Sequence, residues 1–174
     1  MNVITEIREQ DIDSAAPVVD TSEFDRREAV RAVIINDLGQ VALLNVSNRG
    51  FHKLPGGGIE PNEDKTEALA REVLEEVGCE IEIAAELGEV VEYRDKWHQV
   101  QTSFCYFAEK VGAQQKNSLT DKEREDGFEI VWAKDLDAAI ATVEADHPSG
   151  YDGKRMKPRD LAILKTAKDY LTQN

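Results

Sequence analysis

Apolar and polar positions alternate between two periods along this chain, and the changeovers mark its elements. Ala29 to Ile35 and Gln40 to Val46 are short apolar-rich runs joined by Asn36, Asp37, Leu38 and Gly39, which predicts two strands in a hairpin. From Glu63 to Val77 the chain is dominated by Ala, Leu, Glu, Lys and Arg. Ala68, Leu69, Val73 and Val77 form an apolar stripe there, so a helix is expected, with Gly78 as its stop. Glu80 to Tyr93 and Gln99 to Glu109 read as longer strands across the polar turn Arg94 to His98, and Phe128 to Trp132 as another. Leu136 to Val143, introduced by Asp135, and Pro158 to Leu171, with Ile163, Leu164 and Ala167 as its packed face, read as helices. A strand is expected near Val3 to Arg8, a polar linker over Asp11 to Asp25, and a mobile loop over Gly112 to Ser118. No repeat or low-complexity tract interrupts this order.

The turn LPGGGIEPNE lies between the hairpin and the first long helix. Two prolines and three consecutive glycines let its backbone reach unusual conformations and approach a ligand closely. On the helix behind it, Glu72 is three residues from Glu75 and four from Glu76, so the three carboxylates share one side of the cylinder. Two readings follow. In a chain with 35 acidic residues such a face is either a solvated surface or the ligand set of a hard, oxygen-seeking cation that bridges to phosphates.

The full arrangement distinguishes them. Gly57, Glu63, Arg71, Glu72, Glu75, Glu76 and Gly78, at their spacings, resemble the Nudix box, with Cys79 at its last position in place of an aliphatic residue; a buried thiol suits that role. The resemblance extends over roughly residues 28 to 142. It implies an α/β/α sandwich with a mixed sheet and Mg²⁺-dependent hydrolysis of a nucleoside diphosphate linked to a group X, with Mn²⁺ as the alternative metal. Glu72, Glu75 and Glu76 are the implied metal ligands and catalytic carboxylates, with the Gly56 carbonyl as an additional ligand. Glu63 and Arg71 support them, since Arg71 can pair bidentately with a carboxylate and fix the loop against the helix. Glu60 is open between a water-mediated metal contact and a cap of the turn. Glu72 is the candidate for activating the attacking water. A further acid is expected from Leu119 to Gly127, where Glu125 is chosen over Glu123.

The substrate side is less marked. Arg26, Arg27, Arg31, Arg49, His52 and Lys53 are the cations that the fold can gather near the turn, and Arg49, His52 and Lys53, closest in sequence, are the expected substrate contacts. Tyr93, Trp97 and His98 either stack on a base or brace a hairpin or a subunit contact. His147 to Pro158, with Tyr151, Lys154 and Arg155, reads as a surface connection to the last helix, with ligand contact as the alternative. His52, His98 and His147 are too scattered for a zinc cluster. The usual marks of ADP-ribose, NADH and dinucleoside-polyphosphate enzymes are missing downstream, which leaves a nucleoside triphosphate as the expected substrate. An ADP-ribose or nucleotide-sugar pyrophosphatase, a non-catalytic nucleotide-sensing domain and a Ca²⁺-holding structural protein are the alternatives.

Length and composition fit one domain over residues 1–174, with an amino-terminal extension over 1–25 and a carboxy-terminal helix over 158–171. A net charge of −14 argues against nucleic-acid polymers and anionic membranes as partners, though not against a small polyphosphate whose metal supplies positive charge. Neither a spanning apolar run nor a targeting leader is evident, so a cytoplasmic enzyme is expected, with Cys79 and Cys105 as reduced core thiols. A homodimer is compatible with the resemblance, but no interface is specified.

Overall fold

In the computed structural model, which describes residues 1–173, alternation along the strands decides which layer each side chain joins. The elements are β1 (Val3–Ile7), α1 (Glu9–Ile12), β2 (Asp25–Ile35), β3 (Val41–Val46), β4 (Phe51–Lys53), α2 (Lys65–Glu76), β5 (Glu80–Arg94), β6 (Gln99–Val111), α3 (Asp121–Asp126), β7 (Phe128–Ala133), α4 (Leu136–Ala145) and α5 (Tyr151–Gln173). The strands form one mixed sheet in the order β1-β5-β6-β2-β3-β4, with β7 on β3. β1 runs parallel to β5 and β2 parallel to β6; the other pairings are antiparallel.

Val30, Ala32 and Ile34 of β2, with Phe104 and Tyr106 of β6, pack under Ala68, Leu69 and Val73 of α2. Val33, Cys105 and Phe107 point the other way and pack with Ile140 and Val143 of α4 and Ile163, Leu164 and Ala167 of α5. The sheet is therefore covered on both faces, the expected α/β/α sandwich. Cys79 and Cys105 are free and lie in opposite cores.

The sheet opens where the glycine turn enters. β2 and β3 share only the pair Ile35 and Val41, and β4 takes the other end of β3. The chain after β4 fills the gap: Ala32 N–H donates to the Pro55 carbonyl at 3.1 Å, Val30 N–H to that of Gly57 at 2.9 Å, and Ile59 N–H to that of Glu28 at 3.2 Å. Helix α2 starts behind the turn because Asp64 caps it, accepting from the N–H groups of Thr66 and Glu67, while Glu67 returns a bond to the Asp64 N–H.

Several boundaries differ from expectation. β2 begins at Asp25, and α2 is confined to Lys65–Glu76. The short helices α1 and α3 fall at the start of the expected linker and in the expected polar segment, and the three-residue strand β4 forms before the glycine turn, where no element is expected. Rather than a mobile loop, Gly112 to Ser118 is tied to the end of α2: Ser118 N–H donates to the Glu75 carbonyl and Gln115 N–H to that of Gly78, both at 2.7 Å. The segment 147–158 is only partly a connection, because α5 starts at Tyr151 and carries Pro158 inside it. Among the described residues no helix is long and apolar enough to cross a membrane.

Candidate functional site

Arg71 is the hinge pin of the loop and helix. Its Nε and Nη2 donate to the two oxygens of Glu63 at 2.8 and 3.0 Å, its Nη2 also to the Gly58 carbonyl at 3.0 Å, and its Nη1 to Glu72 at 2.9 Å. The bidentate fork lowers the Glu63 carboxyl from its ordinary value. Glu63 in turn accepts the Glu60 N–H at 3.0 Å, so Glu63 secures the turn while the Glu60 side chain is exposed. Arg71 thus ties the loop to the helix through Glu63 and the Gly58 carbonyl.

Glu76 is 2% exposed and anchors the turn from beneath. Its Oε2 accepts the Gly56 N–H at 2.7 Å and its Oε1 pairs with Lys53 Nζ at 2.8 Å. Gly56 has φ +125°, and a Cβ there would run into the Val30 carbonyl; a Cβ on Gly57 would run into the Glu72 carboxylate. Both positions need glycine, the first for backbone packing and the second to leave room for Glu72. Burial raises the Glu72 carboxyl above its ordinary range, the Arg71 hydrogen bond offsets part of this, and the charge of Glu76 pushes it up again. Glu75 is more exposed and lies 3.5 Å from Arg71 Nη1.

Among the described residues no group of three or more His, Cys, Asp or Glu side chains is drawn together closely enough to hold a metal ion. Glu72 and Glu76 are instead bound to Arg71 and to Lys53 with the Gly56 N–H. In kind, the donors fit a hard divalent cation: three carboxylates from one helix face, two of which repel one another.

The expected substrate contacts separate. Lys53 stands at the site, with Nζ 4.6 Å from the centre of the Phe128 ring as well as on Glu76. It joins the site to a cleft of about 230 Å³, lined among others by Phe51, Glu123, Asp126, Phe128 and Met156. Arg49 lies at the rim of that cleft, bound to Asp126 at 2.8 Å and Asp152 at 3.3 Å. His52, one residue before Lys53 on β4, faces away to Asp146, 3.0 Å from its Nδ1. Of the two acids expected from the segment before β7, Glu123 lines the cleft, whereas Glu125 is exposed and offers its backbone carbonyl to Asn48. Glu125 thus lies on the outer side of α3, and with no apolar stripe the sequence of this helical turn does not show which acid faces the cleft.

The aromatic residues brace the fold. Trp97 meets Tyr151 edge-on at 5.1 Å, His98 meets Phe24 at 5.3 Å, and Arg8 sits 3.9 Å over the Tyr93 ring. Arg155 is buried and bound to Glu9 and to the Tyr93 carbonyl, while Lys154 is exposed. One positioning residue escaped the sequence reading: Asp160 of α5 accepts the Leu54 N–H at 3.0 Å, directly before the glycine turn. Its signal was a charge in phase with Ile163, Leu164 and Ala167 on the packed face.

The NUDIX domain model matches residues 25–151 of this chain. Over 72 residues the chain is 33% identical to a protein of Bacillus subtilis (strain 168) provisionally named 8-oxo-dGTP diphosphatase, a stretch covering 41% of this chain and 47% of that one. Over 56 residues it is 43% identical to the RNA pyrophosphohydrolase of Pseudomonas fluorescens (strain SBW25), covering 32% of this chain and 35% of that one. The matched stretches thus span less than half the length of these curated relatives. A solved structure of a NUDIX hydrolase from Nitrosomonas europaea shares the fold, with a TM-score of 0.61 over 86% of this chain and 90% of that one at 22% identity. The matched domain takes in the glycine turn, the Arg71 joint and the sheet on which they rest, and the chain belongs to the NUDIX family.

Proposed function

We propose that this chain hydrolyses the diphosphate linkage of a nucleoside diphosphate joined to a group X, preferring a nucleoside triphosphate and releasing nucleoside monophosphate and pyrophosphate. The observation that carries this reading is the double tether of the turn, with Arg71 bound to Glu63, Glu72 and the Gly58 carbonyl and Glu76 bound to the Gly56 N–H. It holds a glycine backbone that phosphates can approach against a face of carboxylates.

Bound at Glu72, Glu75, Glu76 and the Gly56 carbonyl, Mg²⁺ or Mn²⁺ would supply positive charge to the diphosphate and acidify a water. The residues do the rest. Glu72, whose carboxyl is raised by burial, takes the proton of the water that attacks phosphorus in line as the bond to the departing phosphate oxygen breaks. Lys53, on Glu76 and beside the cleft, would meet a phosphate oxygen, and Glu123, which also lines that cleft, is the second candidate acid. Arg71 keeps the turn and the carboxylates in one geometry. The 8-oxo-dGTP diphosphatase name of the Bacillus relative supports the triphosphate preference.

Product analysis of the purified protein with Mg²⁺ and a panel of nucleoside triphosphates, ADP-ribose, nucleotide sugars and dinucleoside polyphosphates tests the reading. Monophosphate and pyrophosphate from triphosphates support it. Binding without turnover across the panel would favour a nucleotide-sensing domain.

A further inference from the structure

Beneath the glycine turn, on the sheet face that packs against α5, five arginines gather around two acids. Arg27 and Arg31 come from β2, Arg94 from the end of β5, and Arg155 and Arg159 from α5; Glu92 and Asp160 stand among them. Glu9 pairs with Arg155 at the edge, at 2.9 Å. Positive charge is therefore in excess. Arg159, Asp160 and Glu92 are completely buried and Arg31 is 4% exposed.

The guanidinium groups keep some partners, with Arg27 Nη1 donating to Gln101 Oε1, Arg94 Nη2 to Glu92 Oε2 at 3.4 Å and Arg159 Nη1 standing 3.7 Å from Glu92 Oε2, but most of the groups left unmet are donors. Asp160 satisfies Arg159 Nε at 2.7 Å and Nη2 at 3.1 Å. Arg31 donates from Nη1 to the Val30 carbonyl at 2.7 Å and, among the described residues, forms no ion pair. Among the described residues, every buried side-chain nitrogen or oxygen without a hydrogen-bond partner belongs to this cluster: Arg31 Nε, Arg94 Nε, Arg155 Nε, Arg159 Nη1 and Glu92 Oε1. Four of these five are donors. Buried guanidinium groups with free donors and surplus charge are costly, and an anionic acceptor would both meet the donors and offset the charge.

The cluster also borders the turn. Arg27 Nη2 lies 2.8 Å from where a Cβ on Gly58 would stand, Asp160 holds the Leu54 N–H, and Arg31 lies near enough to Glu76 to feel its charge. Arg27 and Arg94 are the outer, partly exposed members and Arg31 and Arg159 the inner ones.

We propose that this arginine cluster is the subsite for X, and that X carries an anionic oxygen group that enters between Arg27 and Arg94 and accepts from Arg31 and Arg159. This rests on the hydrolase reading and sharpens it. The group is the terminal phosphate of a nucleoside triphosphate or an acid group on the sugar of a nucleotide sugar; a neutral sugar leaves the arginines uncompensated.

The test compares UTP, UDP-glucuronate and neutral UDP-glucose as substrates for the wild type, Arg27→Gln and Arg94→Gln, with melting curves to establish that the variants fold. The anionic substrates are expected to exceed UDP-glucose in kcat/KM by at least about tenfold, and that ratio to fall about tenfold in either variant. UTP ahead of UDP-glucuronate assigns the site to phosphate, and the reverse order to a carboxylate. Equal rates on charged and neutral substrates, or a ratio that both folded variants leave unchanged, would overturn the proposal. Inorganic phosphate without metal gives a second readout: it should raise the melting temperature of the wild type and do so less in the variants. Phosphate stabilisation that the variants lose, with no nucleotide cleaved, would retain the anion site and reject the hydrolase reading. Without turnover and without phosphate stabilisation, the anion site fails as well.

Discussion

The Glu76 carboxylate accepts the backbone N–H of Gly56 at 2.7 Å, so the last acid of α2 is fixed directly under the turn that would cradle the diphosphate. The same carboxylate carries Lys53 at 2.8 Å. Anchor and candidate metal ligand are one side chain, so the position of the loop and that of the carboxylate are coupled.

Gly56→Ala and Gly57→Ala should fail in different ways. At Gly56 the added methyl meets backbone at a φ of +125°, so the variant is expected to lose about 3 kcal/mol or more and to yield little folded protein. At Gly57 the methyl meets the movable end of Glu72. That variant should fold, with a melting temperature within a few degrees of wild type by the usual scaling, but with kcat depressed about a hundredfold as Glu72 is displaced. Calorimetry beside steady-state kinetics separates the two, and equal stability losses would contradict the distinction.

Replacing Arg71 by Lys keeps the charge and removes the fork. A single ammonium cannot bridge both Glu63 oxygens, Glu72 and the Gly58 carbonyl. After allowance for its partial exposure, the loss is expected at about 1–2 kcal/mol, or a fall of about 3–6 °C in melting temperature, with a larger proportional loss of activity. A variant with wild-type stability and activity would show that charge alone suffices.

The cysteines should be inert in the folded protein. Burial pushes the Cys105 thiol up to about 12 and raises that of Cys79 as well. At pH 8 both are protonated and enclosed, so iodoacetamide should modify neither until denaturant is added, as intact mass will report. Rapid labelling of the native protein would mean that one of the two cores opens readily.

How much of this was visible in the chain depends on how far each signal reaches. The turn at Asn36 to Gly39 and the stripe on α2 are written within a few residues, and the structure places them as read, although β2 and β3 diverge after one pair. The start of α5 was hidden because its first three turns bury Gly153, Arg155, Arg159 and Asp160, which give no apolar periodicity, and because Pro158 resembles a helix start. Strand β4 is three residues long and exists through its pairing with β3, a contact that spacing cannot show. His52 and Lys53 are neighbours in sequence, yet strand alternation sends one to Asp146 and the other to Glu76. The arginine cluster joins β2, β5 and α5, which only the fold brings together.

The central claim is that the carboxylate face behind the glycine turn cleaves a nucleotide diphosphate bond. Its most direct test is chromatographic product analysis of nucleoside triphosphates incubated with Mg²⁺ and either the wild type or Glu76→Gln, whose amide can still accept the Gly56 N–H. Wild type should release nucleoside monophosphate and pyrophosphate, and the folded variant should lose at least about a hundredfold in rate. Release of nucleoside diphosphate and inorganic phosphate, or an unimpaired Glu76→Gln enzyme, would contradict the account.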